Sequence, residues 1–199
     1  GYYLIDEVGE SVLLPNRYIT NEMAIGDTVD VFVYTDSEDR IVATTLQPKI
    51  TLNKCACLDV VSVSSYGAFL DWGLAKDLFV PFSEQGNKMD VGQHYIVYLY
   101  LDTLTNRLVA SAKLNKFLDK EKPPFKEKEE VELLIANQSD LGINVIINDK
   151  YRGVLYQNEI FQPLQLGERI KGFIKKIRED NKIDVSLQKA GYENVEPNE

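Results

Sequence analysis

Aromatic side chains flank a Gly-Ala pair in the segment SSYGAFLDWG, residues 64–73. Tyr66 and Phe69 stand on either side of the pair, and Trp72 follows three residues later. Such rings can fill a core or form a platform on which planar ligands stack. Strand alternation places Tyr66 and Phe69 on opposite faces, but a bulge or kink at Gly67 would bring both to one surface. Both interpretations of these two rings stay open, and packing is favoured for Trp72.

Basic side chains concentrate in the last part of the chain. Residues 150–189 carry nine basic and five acidic side chains, whereas residues 1–50 carry three basic and nine acidic ones. The formal net charge of −9 argues against indiscriminate binding of phosphate backbones, so a polyanion should prefer the later region. The cluster there is either an electrostatic binding surface or a solvated face, and it comprises Lys171, Lys175, Lys176 and Arg178.

The motifs and residue types of the chain give little support for catalysis or metal binding. The chain lacks a nucleophile elbow, a Walker loop and a dinucleotide-binding glycine motif. Two cysteines and one histidine cannot build the usual Cys/His zinc site. We therefore expect no enzyme, cofactor or metal. Cys55 and Cys57 are expected as small buried thiols in a reducing cytoplasm, and His94 is expected to be exposed.

An internal repeat organises the 199 residues. The segment that begins at Gly67 aligns without a gap to the segment that begins at Gly1, at an offset of 66 residues. A third copy begins at Gly142, a further 75 residues along. Each copy ends in a glycine turn, an alternating strand, a polar turn and a last strand, as in IGDTVDVFVYTDSEDRIVATT. Alternation there places Val29, Val31 and Val33 on the core face and Phe32 and Tyr34 outside.

The repeat predicts an all-β chain of small barrels with few, short helices. Copy one lacks its first strand, so its module is expected to be incomplete. One-turn helices are expected at PFSEQ and YQNEIF. The expected organisation is a partial module one (1–48), module two (51–118), a charged linker (119–126), module three (127–189) and a tail (190–199).

The strand-and-turn pattern resembles a known domain. VVSVSSYGAFLDWGLAKDLFVPFSE followed by VGQHYIVYLYLDTLTNRLVASAK is similar to the S-one type RNA-binding domain, a five-stranded OB-fold barrel. Tandem modules with LPNRYI, GAFLDWG, DLFVPFSEQ and VYLYLD resemble the bacterial conserved virulence factor B family. In that family a winged-helix domain follows the tandem barrels, so the resemblance implies one beyond the tail.

The resemblance implies a set of binding positions in each module. In module two they are Tyr66, Phe69, Asp102 and Arg107, while the family's histidine position holds Pro81, which cannot donate a hydrogen bond. Module one retains Tyr3, Asp36 and Arg40 but is acidic. Module three has Leu141 and Asn144 in place of the rings, and regains Tyr156 and Lys182. Module two is therefore expected to stack bases, and module three to bind by charge.

Further aromatics recur in the long strand of each module. Phe32, Tyr98 and Phe173 are equivalent, and packing is the favoured interpretation for them. Tyr34 and Tyr100 follow on the same side, and could either extend the stacking platform or be buried between neighbouring modules. Both possibilities stay open.

The function that follows is single-stranded RNA binding, with DNA as a further possibility, by a monomeric bacterial cytoplasmic regulator of gene expression. Each module alone is expected to bind weakly, so that linkage raises the overall affinity. The alternative is a protein-interaction scaffold whose barrels no longer bind nucleic acid.

Overall fold

The computed structural model describes residues 1–188 and is built from β-strands and single 3-10 turns. The strands in chain order are β1 Tyr2–Ile5, β2 Ser11–Leu14, β3 Phe32–Thr35, β4 Ile41–Thr44, β5 Cys55–Val63, β6 Gly67–Leu70, β7 Leu78–Pro81, β8 His94–Asp102, β9 Arg107–Ser111, β10 Glu130–Ser139, β11 Gly142–Ile147, β12 Tyr151–Tyr156, β13 Arg169–Ile177 and β14 Ile183–Ser186. The 3-10 turns are Asn16–Tyr18, Phe82–Glu84, Leu114–Lys116 and Gln157–Glu159. Two of these turns lie at the positions expected from PFSEQ and YQNEIF. The tail 190–199 lies outside the described residues.

Two compact units make up the chain. The first contains residues 1–53 and 58–112, and therefore β1–β4 together with β6–β9 and most of β5. The second contains residues 54–57 together with the chain from residue 113 onward, and therefore β10–β14.

Module one forms a four-stranded sheet in the first unit, with the order β1-β2-β4-β3. Strands β2 and β4 pair in parallel at Leu13 and Val42, and the other neighbours are antiparallel. Its small core consists of Leu14, Tyr18 and Ala43. The sheet therefore has one strand fewer than the five of module two.

Module two forms a five-stranded sheet with the order β7-β6-β5-β8-β9 in the same unit. Residues that alternate along its strands are fully buried, including Leu58, Leu70, Leu78, Val80 and Leu99. This inward alternation, with polar or aromatic residues on the opposite face, is what holds a small barrel together.

Module three is a closed barrel with the order β10-β11-β12-β14-β13. This is the strand order of module two, closed by a parallel pairing of β12 with β14 at Gly153–Ile183. The expected five-stranded barrel is confirmed in module three, and module two is a five-stranded sheet with the same strand order. The charged linker before it is not free, because Phe125 packs edge-on against Tyr151 of this barrel, with ring centroids 5.2 Å apart.

In modules one and two, a polar contact joins the 3-10 turn to the last strand. Thr44 lies beside the Tyr18 hydroxyl in module one, and the Ser111 hydroxyl donates to a Glu84 carboxylate oxygen at 2.6 Å in module two. Module three differs, because the equivalent Glu159 accepts from Lys175 of β13. The turn is therefore anchored by a polar contact in every module.

Two local expectations from alternation are wrong. The bulge lies in β5 between Val60 and Ser62 rather than at Gly67, which pairs regularly with Pro81. In β3 the alternation is reversed, because Tyr34 is only 4% exposed while Val33 is 43% exposed. The reversal has a cause outside module one. Tyr34 packs against Trp72, a residue of module two.

Candidate nucleic-acid interface

The first unit contains a cleft of about 500 Å³, here called the aromatic cleft. It is lined by Tyr66, Phe69 and Trp72, the three rings of the segment 64–73. Tyr66 precedes β6 in a bend and is 77% exposed, so strand alternation does not govern its direction. Phe69 lies within β6, and both rings line the cleft. Tyr66 and Phe69 thus share one surface, as a binding platform requires.

Phe79 is a member of this site that the sequence analysis missed. It pairs with Phe69 across β6 and β7, with ring centroids 5.2 Å apart and planes tilted by 36°. The signal was present in the sequence, since Leu78 and Val80 are buried and Phe79 must point the other way. The pair forms a continuous aromatic wall.

Trp72 forms the floor of the aromatic cleft and is a packing residue, as favoured from the sequence. It is 3% exposed and meets Phe32 and Tyr34 edge-to-face, with centroid distances of 5.6 and 6.3 Å. Its indole N–H donates to the carbonyl of Lys76. The floor is therefore rigid and leaves the other rings to meet a ligand.

Three charged side chains line the aromatic cleft. Arg107 is ion-paired with Asp39, with 2.8 Å between Nη2 and Oδ1, and the Lys76 ammonium donates to the carbonyl of Asp36 at 3.1 Å. Asp77 is half-buried, and burial together with the charge of Asp71 raises the pKa of its carboxyl. Both cations are therefore held by an acidic turn of module one.

The remaining candidates of module two lie beside the cleft. Asp102 pairs with Arg107 across β8 and β9, and its carboxylate accepts from the backbone N–H of Leu104 at 3.0 Å, which shapes the turn. Tyr100 is half-buried, and burial followed by the nearby Glu84 raises the pKa of its hydroxyl. Asp102 thus orders the turn from which Arg107 projects.

The two candidates of module one, Tyr3 and Arg40, are not among the residues that line the aromatic cleft. Tyr3 is 73% exposed on β1. Arg40 is paired with Asp36 at 2.9 Å and with Glu38 at 3.0 Å. Backbone N–H groups, foremost that of Arg40, lower the pKa of the Asp36 carboxyl, so this turn stays anionic. Negative charge opposes phosphate binding here, in agreement with the expectation from composition.

Module three places its candidates around one tyrosine. The guanidinium of Arg178 lies over the Tyr156 ring at 5.7 Å, donates to the Tyr156 hydroxyl, and pairs with Asp184 at 3.1 Å. Lys175 is paired with Glu159. Burial, followed by the charge of Asp184, raises the pKa of Tyr156. The basic cluster is therefore partly neutralised by its own barrel.

The other polar candidates of module three are exposed. Lys182 pairs loosely with Asp180 at 3.8 Å, and Lys176 has no ion pair within residues 1–188. Leu141 is 60% exposed and Asn144 is half-buried where the other modules would carry rings. These two positions therefore supply no aromatic ring.

Metal-ligating side chains and cysteines were predicted to be scarce, and their placement in residues 1–188 is as follows. No cluster of three His, Cys, Asp or Glu side chains that could hold a metal ion is found there. Cys55 is buried and His94 is exposed, as expected, whereas Cys57 is half-buried rather than buried; neither cysteine forms a disulfide. No helix within this part of the chain has the length and apolar character needed to cross a membrane.

Comparison with known proteins identifies the modules. Residues 1–46 and 54–113 match the S1 domain family, which is the S-one type domain. The chain is 31% identical to Uncharacterized protein YitL of Bacillus subtilis (strain 168), over 94% of this chain and 65% of that protein. It is 22% identical to Conserved virulence factor B of Staphylococcus epidermidis (strain ATCC 12228), over 98% of this chain and 68% of that protein.

This chain belongs to the S1 domain family. It spans about two thirds of the length of these relatives. A solved structure, a multidomain protein with nucleic acid binding domains from Streptococcus pneumoniae TIGR4, shares 20% identity and a TM-score of 0.48, over 98% of this chain and 71% of that one. Module three lies outside the matched S1 ranges, although its strand order is that of module two.

Proposed function

We propose that this S1-domain chain binds single-stranded nucleic acid, RNA in the first place, in the aromatic cleft. The observation that carries the proposal is the convergence of Tyr66, Phe69 and Arg107 on one cleft. These are the ring and cation positions that the S1 resemblance implies. Bases would stack on the rings, at about 1–3 kcal/mol per base, while Arg107 meets a phosphate.

Module three adds an electrostatic contribution in this proposal. Lys176 and Lys182 are exposed and lie on the last hairpin of a closed barrel. A strand bound by stacking at module two would gain phosphate contacts there through effective concentration. The regulatory role in a bacterial cytoplasm is part of the same proposal.

A protein-interaction scaffold is the second candidate, and one observation favours it. The two cations of the cleft already have partners: Arg107 pairs with Asp39, and Lys76 donates to the carbonyl of Asp36. Phosphate must displace these contacts, whereas an uncharged partner need not.

The test compares two exposed aromatic side chains on labelled single-stranded RNA of about 15 nucleotides, long enough for two OB-fold sites. Tyr66→Ala should weaken binding by about 1–3 kcal/mol, the worth of one stacked base, with the salt dependence unchanged. Phe161→Ala is the matched control, since Phe161 is 75% exposed and lies outside the cleft. Equal affinity of the two variants would contradict stacking at Tyr66. No salt-dependent binding by the unmodified chain would favour the scaffold.

A further inference from the structure

The Asp77 carboxylate lies in the wall of the aromatic cleft without a partner. Within residues 1–188 it makes no hydrogen bond and no ion pair. The two cations of the cleft do not compensate it, because Lys76 is directed to the carbonyl of Asp36 and Arg107 to the carboxylate of Asp39. An acceptor side chain therefore lines the same cleft as five aromatic residues.

A carboxylate in this position carries an energetic cost. Removing a charged group from water without a compensating hydrogen bond disfavours the charged form. Burial and the nearby Asp71 accordingly raise the pKa of the Asp77 carboxyl. A bound donor would offset the cost, and the surrounding rings and the two cations restrict what kind of donor fits.

The cleft has the size and lining for one base. Its volume of about 500 Å³ is within the range of small-molecule sites, roughly 300–1,000 Å³. Tyr66, Phe69 and Phe79 supply flat apolar surfaces, and single-stranded bases stacked on such rings are read along their Watson–Crick edges.

We propose that Asp77 reads the edge of the stacked base and selects guanine in single-stranded nucleic acid, an inference that rests on the proposed function. An ionised carboxylate only accepts hydrogen bonds, through two oxygens. Guanine presents two adjacent donors, the N1–H and the N2 amino group, which match both oxygens. Uracil sets carbonyl oxygens on both sides of its single donor, so a carboxylate meets repulsion. Adenine and cytosine each place an acceptor beside their amino group.

A cationic side chain of a protein partner is the competing occupant. Aromatic rings attract cations, and a carboxylate would pair with a lysine or arginine. Two cations, Lys76 and Arg107, line the cleft beside the one carboxylate of Asp77, and a nucleic acid can exchange their contacts with Asp36 and Asp39 for phosphate, whereas a cationic occupant cannot. The observations therefore favour nucleic acid.

The experiment uses the full chain and two RNAs, a 15-nucleotide oligouridine and the same strand with one central guanosine. The unmodified protein should bind the guanosine strand about tenfold more tightly, within the range of one good bidentate base contact. Asp77→Asn should bring the ratio toward one while the affinity for oligouridine changes little. Asp59→Asn removes the same charge at an exposed position outside the cleft and should keep the ratio.

An inosine strand tests the inference without any variant. Inosine lacks the N2 amino group, so the unmodified protein should lose most of its preference for that position. Equal binding of the guanosine, inosine and uridine strands, or a ratio that Asp77→Asn leaves intact, would overturn guanine selection while the proposed function stands. No binding of any strand would overturn both. Displacement of RNA by a lysine-rich peptide in a manner abolished by Asp77→Asn would assign the carboxylate to a protein partner.

Discussion

Aromatic residues of one short segment serve different purposes in this S1-domain protein. Tyr66 is 77% exposed and Trp72 is 3% exposed, although only five residues separate them. Trp72 finds two ring partners and a carbonyl for its N–H, which satisfies a buried indole. Within residues 1–188 the Tyr66 side chain has neither kind of partner, and it stays exposed.

A testable consequence at the residue scale concerns Cys55. Burial, followed by the charge of Asp149, raises the pKa of the Cys55 thiol to about 12. The thiolate is the reactive form, so at pH 8 Cys55 should resist alkylation in the folded chain and react after unfolding in urea. Mass spectrometry of alkylated peptides measures this. Half-buried Cys57 is the internal comparison.

The raised pKa of Cys55 also makes the free energy of unfolding depend on pH. An unfolded thiol titrates near pH 8.5, below the folded value. The contribution of Cys55 to the free energy of unfolding is therefore intact below about pH 8.5, and is lost as the pH rises toward 12. Rapid alkylation of Cys55 in the folded chain at pH 8 would contradict its burial.

At the scale of the elements, a glycine recurs at the equivalent position of each module, Gly1, Gly67 and Gly142. It is required there because two strands approach each other closely. A Cβ at Gly67 would lie 2.8 Å from the Pro81 Cα and would also contact the Val80 carbonyl oxygen. A Cβ at Gly142 would lie 2.9 Å from the Tyr156 Cα, and one at Gly1 would lie 2.6 Å from the Leu14 oxygen. The same packing constraint therefore accounts for all three positions.

We expect Gly67→Ala to lower the free energy of unfolding by about 1–3 kcal/mol, the usual cost of overpacking. The clash is with backbone atoms, so no side-chain rotation relieves it. Urea-induced unfolding followed by circular dichroism measures the loss. Gly86→Ala is the control, since a Cβ there meets nothing within 4 Å, and it should be neutral or gain about 0.4–1 kcal/mol. Equal unfolding midpoints would refute the close-approach argument.

At the scale of the whole molecule, the formal net charge of −9 makes the arrangement of charges decisive. Lys175 and Arg178 are paired with Glu159 and Asp184 of their own barrel. A paired cation already has its counter-charge, so a phosphate that binds there displaces a carboxylate rather than adding a new contact. Lys176 is the member of this cluster best placed to meet a phosphate.

Replacing Lys175, Lys176 and Arg178 together by Gln should therefore flatten the salt dependence of RNA binding by about one unit rather than three. The slope of log affinity against log salt, measured with the 15-nucleotide strand, gives the number. The control replaces Lys120, Lys122 and Lys128, three exposed lysines near the linker, by Gln. If both triple variants change the slope equally, the cluster acts only through net charge.

Sequence by itself determined the strand pattern, the repeat and the family. Alternation, glycine turns and the 66- and 75-residue offsets are local or periodic, so they survive without coordinates. The short helical turns and the packing role of Trp72 followed from the same patterns. The outward direction of Phe79 could have been predicted from the alternation in DLFVPF, because its neighbours Leu78 and Val80 are apolar core residues.

Only the tertiary structure decided which side chains meet across the first unit. Tyr34 is buried because Trp72, 38 positions later, covers it, and no alternation within β3 contains that information. The capture of Arg107 by Asp39, and the unpartnered carboxylate of Asp77 among aromatic rings, depend on contacts between residues distant in sequence. Burial and charge pairing are properties of the folded neighbourhood, and a linear pattern fixes only the direction in which each side chain leaves its own strand.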